Sequence, residues 1–420
     1  MKASYDIVDV AGPRGSNPAG LWLPLLLTLA GLPFVLHLAS YNLPGRDLYI
    51  RAINGELEGY LGMDFVDTWI GAKLAVTGAV APLFNLAAFQ KILQGFFGAD
   101  FPFFFWSYPP HLLPLILPLG FLPYVPAFIA WTAGTLAGFL AAALPDRGSP
   151  ARWPTAIALL LAPSTIVNGF SGQNGFATAG LLVGGLRLLD RRPIIAGALF
   201  GILTIKPHLG LVLPFVLIAL RAWTAIASAI AAAGLLVGLS VVVYGLDPWR
   251  GFFLLISPFQ WRYSTGMDGT FASMVASVYG AAYQLGAGLE ASLALQAVAA
   301  VPALAAALWV LRRSEDASAR ILAVVAAVFL STPYVMYYDL TSLTAALALY
   351  LGRPRSLGAV GFTTVALAWV AAPLTRIVDL VGLPIIPLVI ASVLMLVVRQ
   401  AVARVPPGGG VGDVDLVRDA

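Results

Sequence analysis

Gly62-Met63-Asp64-Phe65-Val66-Asp67-Thr68-Trp69 and Phe103-Phe104-Phe105-Trp106-Ser107-Tyr108-Pro109-Pro110 mark the centre and the end of residues 40–110. This segment follows the first long apolar run and precedes a body built almost wholly of apolar runs, so its reading decides how the chain is laid out. Phe65–Thr77 and residues 82–97 alternate apolar and polar positions at helical spacing, with Lys73 and Lys91 on the polar side. That is the pattern of amphipathic helices lying on a membrane surface. Acids and aromatics are gathered here, and the chemistry is expected here.

Composition sets the class. Of 420 residues, 60% are hydrophobic and only 10% charged, far from the roughly 25% charged content of soluble domains. The chain reads as an all-α polytopic membrane protein. Its net charge of +4 comes from Lys and Arg placed mostly in short turns between apolar runs, where they act as topology signals, so no nucleic-acid partner is expected. The absence of Cys excludes disulfides, thiolate metal sites and Cys nucleophiles.

Topology follows from the cations. Lys2 and Arg14 precede the first apolar run, residues 21–39, which is long enough to span and lacks a clean cleavage site. The N-terminus is then cytoplasmic and residues 40–110 are external. Residues 111–144 carry Pro114, Pro118, Pro123 and Pro126 and look like two crossings. The cation rule requires an odd number there, which a proline-broken half-span or re-entrant piece would reconcile. Residues 153–170 and 176–189 form a hairpin with Ser171-Gly172-Gln173-Asn174 at its outward tip; residues 193–205 and 209–220 form another with Lys206-Pro207-His208 at its tip. Residues 224–244 lead to a second external segment, 245–286, rich in Trp, Tyr and Phe. Runs at 289–311, 319–332, 338–351, 357–374 and 380–398 complete a body of about 12 spans, 11 to 13 by this reading, with both termini inside. The chain divides into the first span (21–39), the external catalytic loop (40–110), a core with the second external loop (111–263), C-terminal spans (264–404) and a disordered cytoplasmic tail (405–420).

No internal duplication, Walker loop, HExxH or GxSxG is present, and the three His are too scattered to propose a metal site. In order and spacing, Asp64-Phe65 with Trp69, Tyr108-Pro109-Pro110, Gly172-Gln173-Asn174 and Lys206-Pro207 resemble glycosyltransferase family 87, over roughly residues 21–263. The resemblance implies the GT-C architecture of integral-membrane enzymes. It also implies transfer of a hexose, usually mannose, from a polyprenyl-phosphate donor to a lipid-linked or extracytoplasmic glycan acceptor, without metal or other cofactor. An acid in the first external loop serves as base. A bacterial inner membrane, with the active site facing the periplasm or exterior, is the expected location. The stretch Gly266-Met267-Asp268-Gly269 matches no pattern of the family.

The chemistry gives these residues roles. A sugar hydroxyl attacking an anomeric carbon needs a base within about 3 Å, for which Asp64 is the candidate, and in-line displacement inverts the anomeric centre. A leaving phosphate needs cations or polar donors: Lys206 and His208 first, Arg262 second. Asp67, Trp69, Tyr108, Gln173, Asn174 and Asp339 are candidate substrate contacts. Each has a plainer reading. Asp64 could cap the helix starting at Phe65, with Asp67 favoured in its first turn. Lys206 could snorkel from a hairpin tip, although a cation inside an apolar stretch costs about 2.5 to 3.5 kcal/mol and usually marks a pathway or partner. His208 could be an ordinary buried histidine, Gln173 and Asn174 could satisfy a turn, and Tyr108 could fix the chain's entry into the next span. A transporter or flippase of lipid-linked sugars is the alternative to an enzyme.

Overall fold

The structure is a computed structural model, and it describes residues 28, 62–266, 274–353, 357–375 and 382–403. The expected first span apart from Thr28, the start of the external loop at 40–61, residues 267–273 and the tail at 405–420 lie outside the described residues. Among those described, regular structure is helical, and the strand-like contact is an isolated antiparallel bridge between Val275 and Met336.

After the helices α1 (Phe65–Thr77) and α2 (Leu86–Phe97) come the proline-interrupted α3 (Pro110–Phe121) and the long α4 (Tyr124–Ala143). Then follow α5 (Arg152–Leu160), α6 (Pro163–Ser171), α7 (Gly175–Leu188), α8 (Pro193–Ile205), α9 (Pro207–Ala219) and α10 (Trp223–Tyr244). The stretch between α10 and α13 holds Asp247–Gly251, a π-turn at Phe252–Ile256, α11 (Ser257–Thr265) and α12 (Val278–Gln284). The remaining helices are α13 (Leu289–Arg313), α14 (Ala317–Ser331), α15 (Thr341–Leu351), α16 (Gly358–Trp369) and α17 (Ile386–Ala403).

Among the described residues four helices, α4, α10, α13 and α17, are long and apolar enough to cross a bilayer, and the pair α5 and α6, bent by 47°, makes up to five. Shorter apolar helices of 10–17 residues include α3, α7, α8 and α9; at 1.5 Å per residue these reach only about 15 to 26 Å, short of a hydrocarbon core of about 30 Å. Among the described residues, full-length helices thus account for four or five of the roughly 12 crossings expected. Residues 111–144 resolve into one full-length helix, α4, preceded by the short α3, whose Pro114 and Pro118 remove backbone donors and break it into 3₁₀ and α pieces. The tract thus holds one helix of full length and one short, proline-broken helix.

Burial sorts the helices. In α14 every residue from Ile321 to Leu330 is buried, and in α15 every residue from Thr341 to Ala348. They form the centre of the molecule, apolar on nearly all sides because all sides touch protein. By contrast α10 buries only Ala225 and Ser240, so the rest of its apolar surface is available to lipid. It is held to α8 by backbone approach: a Cβ at Gly197 would lie 2.2 Å from the Ala225 carbonyl oxygen, and one at Gly201 would lie 2.5 Å from that of Ala229. Only glycine leaves room for such contact.

A second core joins α1 and α2 to the body through Phe65, Trp69, Trp106, Tyr124 and Ile256. Here the expectation of two surface helices needs correction. In α1 every residue from Phe65 to Ala72 is buried, because α3 and α4 cover its outer side and leave no polar face in water. Lys73 lies over the Trp69 ring, 5.2 Å from its centre. The stretch 82–97 is a 3₁₀ turn, Ala81–Phe84, followed by α2, whose start is capped by Asn85 Oδ1 accepting from the Ala88 N–H at 3.0 Å. That helix buries only Phe89 and Leu93, one turn apart, and leaves Lys91 exposed, as a surface helix should.

Candidate active site

The site is assembled on the tip of the hairpin between α6 and α7. Helix α6 ends at Gly172, whose φ of 71° is the left-handed conformation that closes a helix. A Cβ there would also meet Phe65 Cβ at 2.8 Å, so the turn and α1 can be this close only with glycine between them. Asn168 reaches across the tip, its Oδ1 accepting from the Gly175 N–H at 3.0 Å.

The start of α1 docks on this tip. The Asp64 N–H donates to the Ser171 carbonyl at 3.0 Å, Tyr124 donates its hydroxyl to the Gly62 carbonyl at 3.0 Å, and Trp131 Nε1 donates to the Gly172 carbonyl at 3.2 Å. Asp64 precedes α1 but makes no side-chain cap bond to it. Its carboxylate instead bonds to the side chain of Gln173. Burial pushes the Asp64 carboxyl up to about 6, opposed by the Gln173 bond. Asp67, buried one turn further on, is pushed up to about 7 by burial and by the charge of Asp64, opposed by its bonds to Thr68. The capping role does not account for Asp64's side chain, which turns to Gln173 instead.

The next residue of the tip, Asn174, anchors a second group. Its Oδ1 accepts from Lys206 Nζ at 3.1 Å, and its Nδ2 donates to the Tyr108 hydroxyl at 3.0 Å. Lys206 is 5% exposed, so it does not snorkel; its ammonium also donates to Asp339 Oδ1 at 2.5 Å and lies 4.5 Å from the centre of the Tyr338 ring. Asp339 Oδ2 accepts from the Met336 N–H at 3.0 Å. An ammonium has three protons, and here Asn174, Asp339 and the Tyr338 ring surround it.

The remaining candidates divide. Trp69 donates Nε1 to the Leu122 carbonyl at 3.1 Å and packs edge-on to Tyr124, so its indole is committed to the core. His208, on the far side of Lys206 in the chain, meets Tyr334 edge-on at 5.2 Å, and Arg262 is exposed on α11. Tyr334 was not singled out from sequence; it is within electrostatic reach of both Asp64 and Asp339 and hydrogen-bonds Gln260. The polar break Thr332-Pro333-Tyr334 after the apolar run of α14 is the signal that could have found it. Asp64, Gln173, Asn174, Tyr108, Lys206 and Asp339 are therefore brought together around one hairpin tip, with Tyr334 bordering the group. Among the described residues no cluster of three His, Asp or Glu could hold a metal ion.

A model of glycosyltransferase family 87 matches residues 106–333, more than half of the chain. The chain belongs to glycosyltransferase family 87. No curated protein and no solved structure matches it. With apolar helices long enough to cross a bilayer, this family 87 member is a membrane glycosyltransferase. Tyr108, Gln173, Asn174, Lys206, His208 and Arg262 fall inside the matched region; Asp64, Asp67, Trp69 and Asp339 fall outside it, so their roles rest on geometry.

Proposed function

We propose that this glycosyltransferase moves a hexose, mannose by the habit of its family, from a polyprenyl-phosphate donor to a lipid-linked or extracytoplasmic glycan acceptor, with Asp64 as general base. The observation that carries the reading is a half-buried carboxylate that caps nothing, is tied to Gln173 and has its proton affinity raised to about 6. Such a group is ionised at neutral pH yet basic enough to accept a hydroxyl proton. In the step proposed, the acceptor hydroxyl gives its proton to Asp64 as its oxygen bonds to the anomeric carbon. The bond from that carbon to the phosphate oxygen breaks, its electron pair leaving with the polyprenyl phosphate, and the configuration inverts.

Gln173 orients Asp64, and Tyr108 and Asn174 contact the sugar. The phosphate is received by Arg262 and His208. Lys206, whose charge Asp339 already offsets, positions Asn174 and the Tyr338–Asp339 turn. The layout is of the GT-C kind: short helices supplement the full-length ones to about 12 crossings, in a bacterial inner membrane with the hairpin tip at the external boundary.

The test is Asp64→Asn in the purified full chain with polyprenyl-phosphomannose and a candidate acceptor. Transfer is expected to fall by about 10² to 10⁴ while donor binding and monodispersity persist. An Asn variant that transfers at the wild-type rate removes the base and favours a flippase using the same polar cleft.

A further inference from the structure

A groove of about 580 Å³ runs along α7, between it and α3, α4 and α8. Trp131, Phe176 and Ile205 line the end next to the hairpin tip, and Asp146, Arg187 and Arg191 line the other. Small residues line its middle, where α4 and α7 come so close that a Cβ at Gly180 would lie 3.2 Å from the Gly138 backbone. Leu115, Gly138 and Ala141 of the lining are exposed. The groove therefore opens sideways past α4, one of the helices long and apolar enough to cross a bilayer.

Between its ends the groove offers apolar surface. The two polar side chains there already have partners within the protein: Thr135 donates its hydroxyl to the Trp131 carbonyl at 2.7 Å, and Trp131 Nε1 donates to the Gly172 carbonyl. A hydrocarbon chain can lie along such a surface without burying an unpaired polar group.

The end away from the tip is different. Arg187 closes it, donating Nη1 to the Ala142 and Leu144 carbonyls and Nη2 to Asp146 Oδ1 at 2.5 Å. Arg152 Nη1 donates to the Pro145 carbonyl at 2.5 Å and is held at the same turn. Arg191 is exposed, and its charge reaches Asp146 as well. The turns that shut this end carry Arg147, Arg152, Arg191 and Arg192, with Arg187 just inside, against Asp146 and Asp190. Positive charge exceeds negative, and guanidinium is the side-chain group best shaped to grip a phosphate.

A groove that is apolar along its length and cationic at one end has the polarity of an anionic phospholipid. The donor of the proposed reaction is also a lipid phosphate, but its phosphate belongs at the hairpin tip. At about 1.5 Å per residue, Arg187 stands roughly 20 Å along α7 from Asn174. A phosphate bound at this end is therefore not the reacting one.

We propose that this groove holds one acyl chain of an anionic glycerophospholipid whose headgroup phosphate is received by Arg191, with the backbone-anchored Arg187 beside it. Basic pockets between membrane helices hold such headgroups in this way. The bound chain fills the gap beside α4 and α7 and lies against Trp131, whose indole bonds the hairpin tip. The assignment goes beyond the glycosyltransferase reading and does not depend on it.

The experiment is native mass spectrometry of the delipidated full chain in mild detergent, titrated with dioleoyl phosphatidylglycerol and, separately, with dioleoyl phosphatidylcholine. A saturable adduct is expected with phosphatidylglycerol, and binding weaker by about fivefold with the zwitterionic lipid. Arg191→Gln should weaken the phosphatidylglycerol adduct by about fivefold, while Arg250→Gln, which removes an exposed cation elsewhere, should leave it unchanged. Gly138→Leu should abolish it, because a Cβ there meets nothing within 4 Å and the side chain enters the groove. Ala141→Phe, in the same exposed lining, replaces that variant should it fail to run as a monodisperse species. Equal binding of the two lipids, or wild-type binding by Arg191→Gln and the groove-filling variant, overturns the site. Displacement by polyprenyl phosphate at equal concentration also overturns it and gives the groove to the donor's tail; an adduct that persists supports the phospholipid. Asp64→Asn should bind phosphatidylglycerol as the wild type does, so loss of the base reading and loss of this site are separate results.

Discussion

Asp64 opens a helix without capping it, and the proposed base rests on that small departure from habit. With its carboxyl raised to about 6 by burial, kcat/KM is expected to fall about tenfold per pH unit below 6 and to level off above 7, as measured in a pH profile of transfer. Asp67 separates from it by a different readout. Its folded pKa of about 7 lies above the ordinary 3.8, so the folded state holds a proton that the unfolded chain releases. Stability therefore falls as pH rises from about 4 to 7. Asp67→Asn should raise the thermal midpoint at pH 8, change it little at pH 4, and leave the activity midpoint where it was. A shifted activity profile would make Asp67 part of the base. Sequence alone put Asp64 ahead of Asp67 as the base, but on position in the motif and not on environment, because burial leaves no local mark.

The elements were largely legible. The bounds of α1, Phe65–Thr77, stand as read, and α10 begins one residue before the run expected at 224–244. Gly, Pro and Arg punctuate the apolar runs, and helices end where they fall. What escaped is what packs on what. Helix α1 has polar residues at helical spacing, yet Asp67 and Thr68 are buried among neighbours contributed by α3 and α4. Likewise nothing near Lys206 announces Asp339. The ion pair between them, with side chains 6% and 0% exposed, ties the break between α8 and α9 to the turn before α15. Removing one partner strands the other, so Lys206→Met is expected to cost about 3 to 5 kcal/mol. The double change to Lys206→Met with Asp339→Leu should recover most of that in thermal unfolding. A double variant as unstable as the sum of the singles would deny the pair any coupling.

At the scale of the molecule, the placement of Lys and Arg predicts which side is which, and the chain's lack of Cys makes that testable. A single Asp100→Cys, in the exposed loop after α2, should react with an impermeant maleimide in intact cells. Asp190→Cys, exposed in the turn after α7, should react only after permeabilisation. The opposite pattern would put the hairpin tip in the cytoplasm. The class was readable because a bilayer imposes its thickness on composition. The groove that ends at Arg191 was not, since it exists only where α3, α4, α7 and α8 converge.

The pairing of Lys206 with a residue 133 positions later also bears on how the protein is made. At about 5 to 20 residues per second, a ribosome takes roughly 7 to 27 seconds to supply the partner, and until then a lone ammonium waits among lipid or translocon. A nascent chain released after residue 313 should therefore be degraded faster in pulse-chase than one released after residue 353, and Lys206→Met should prolong the shorter one's life. Equal lifetimes would mean the ammonium finds shelter elsewhere during biosynthesis.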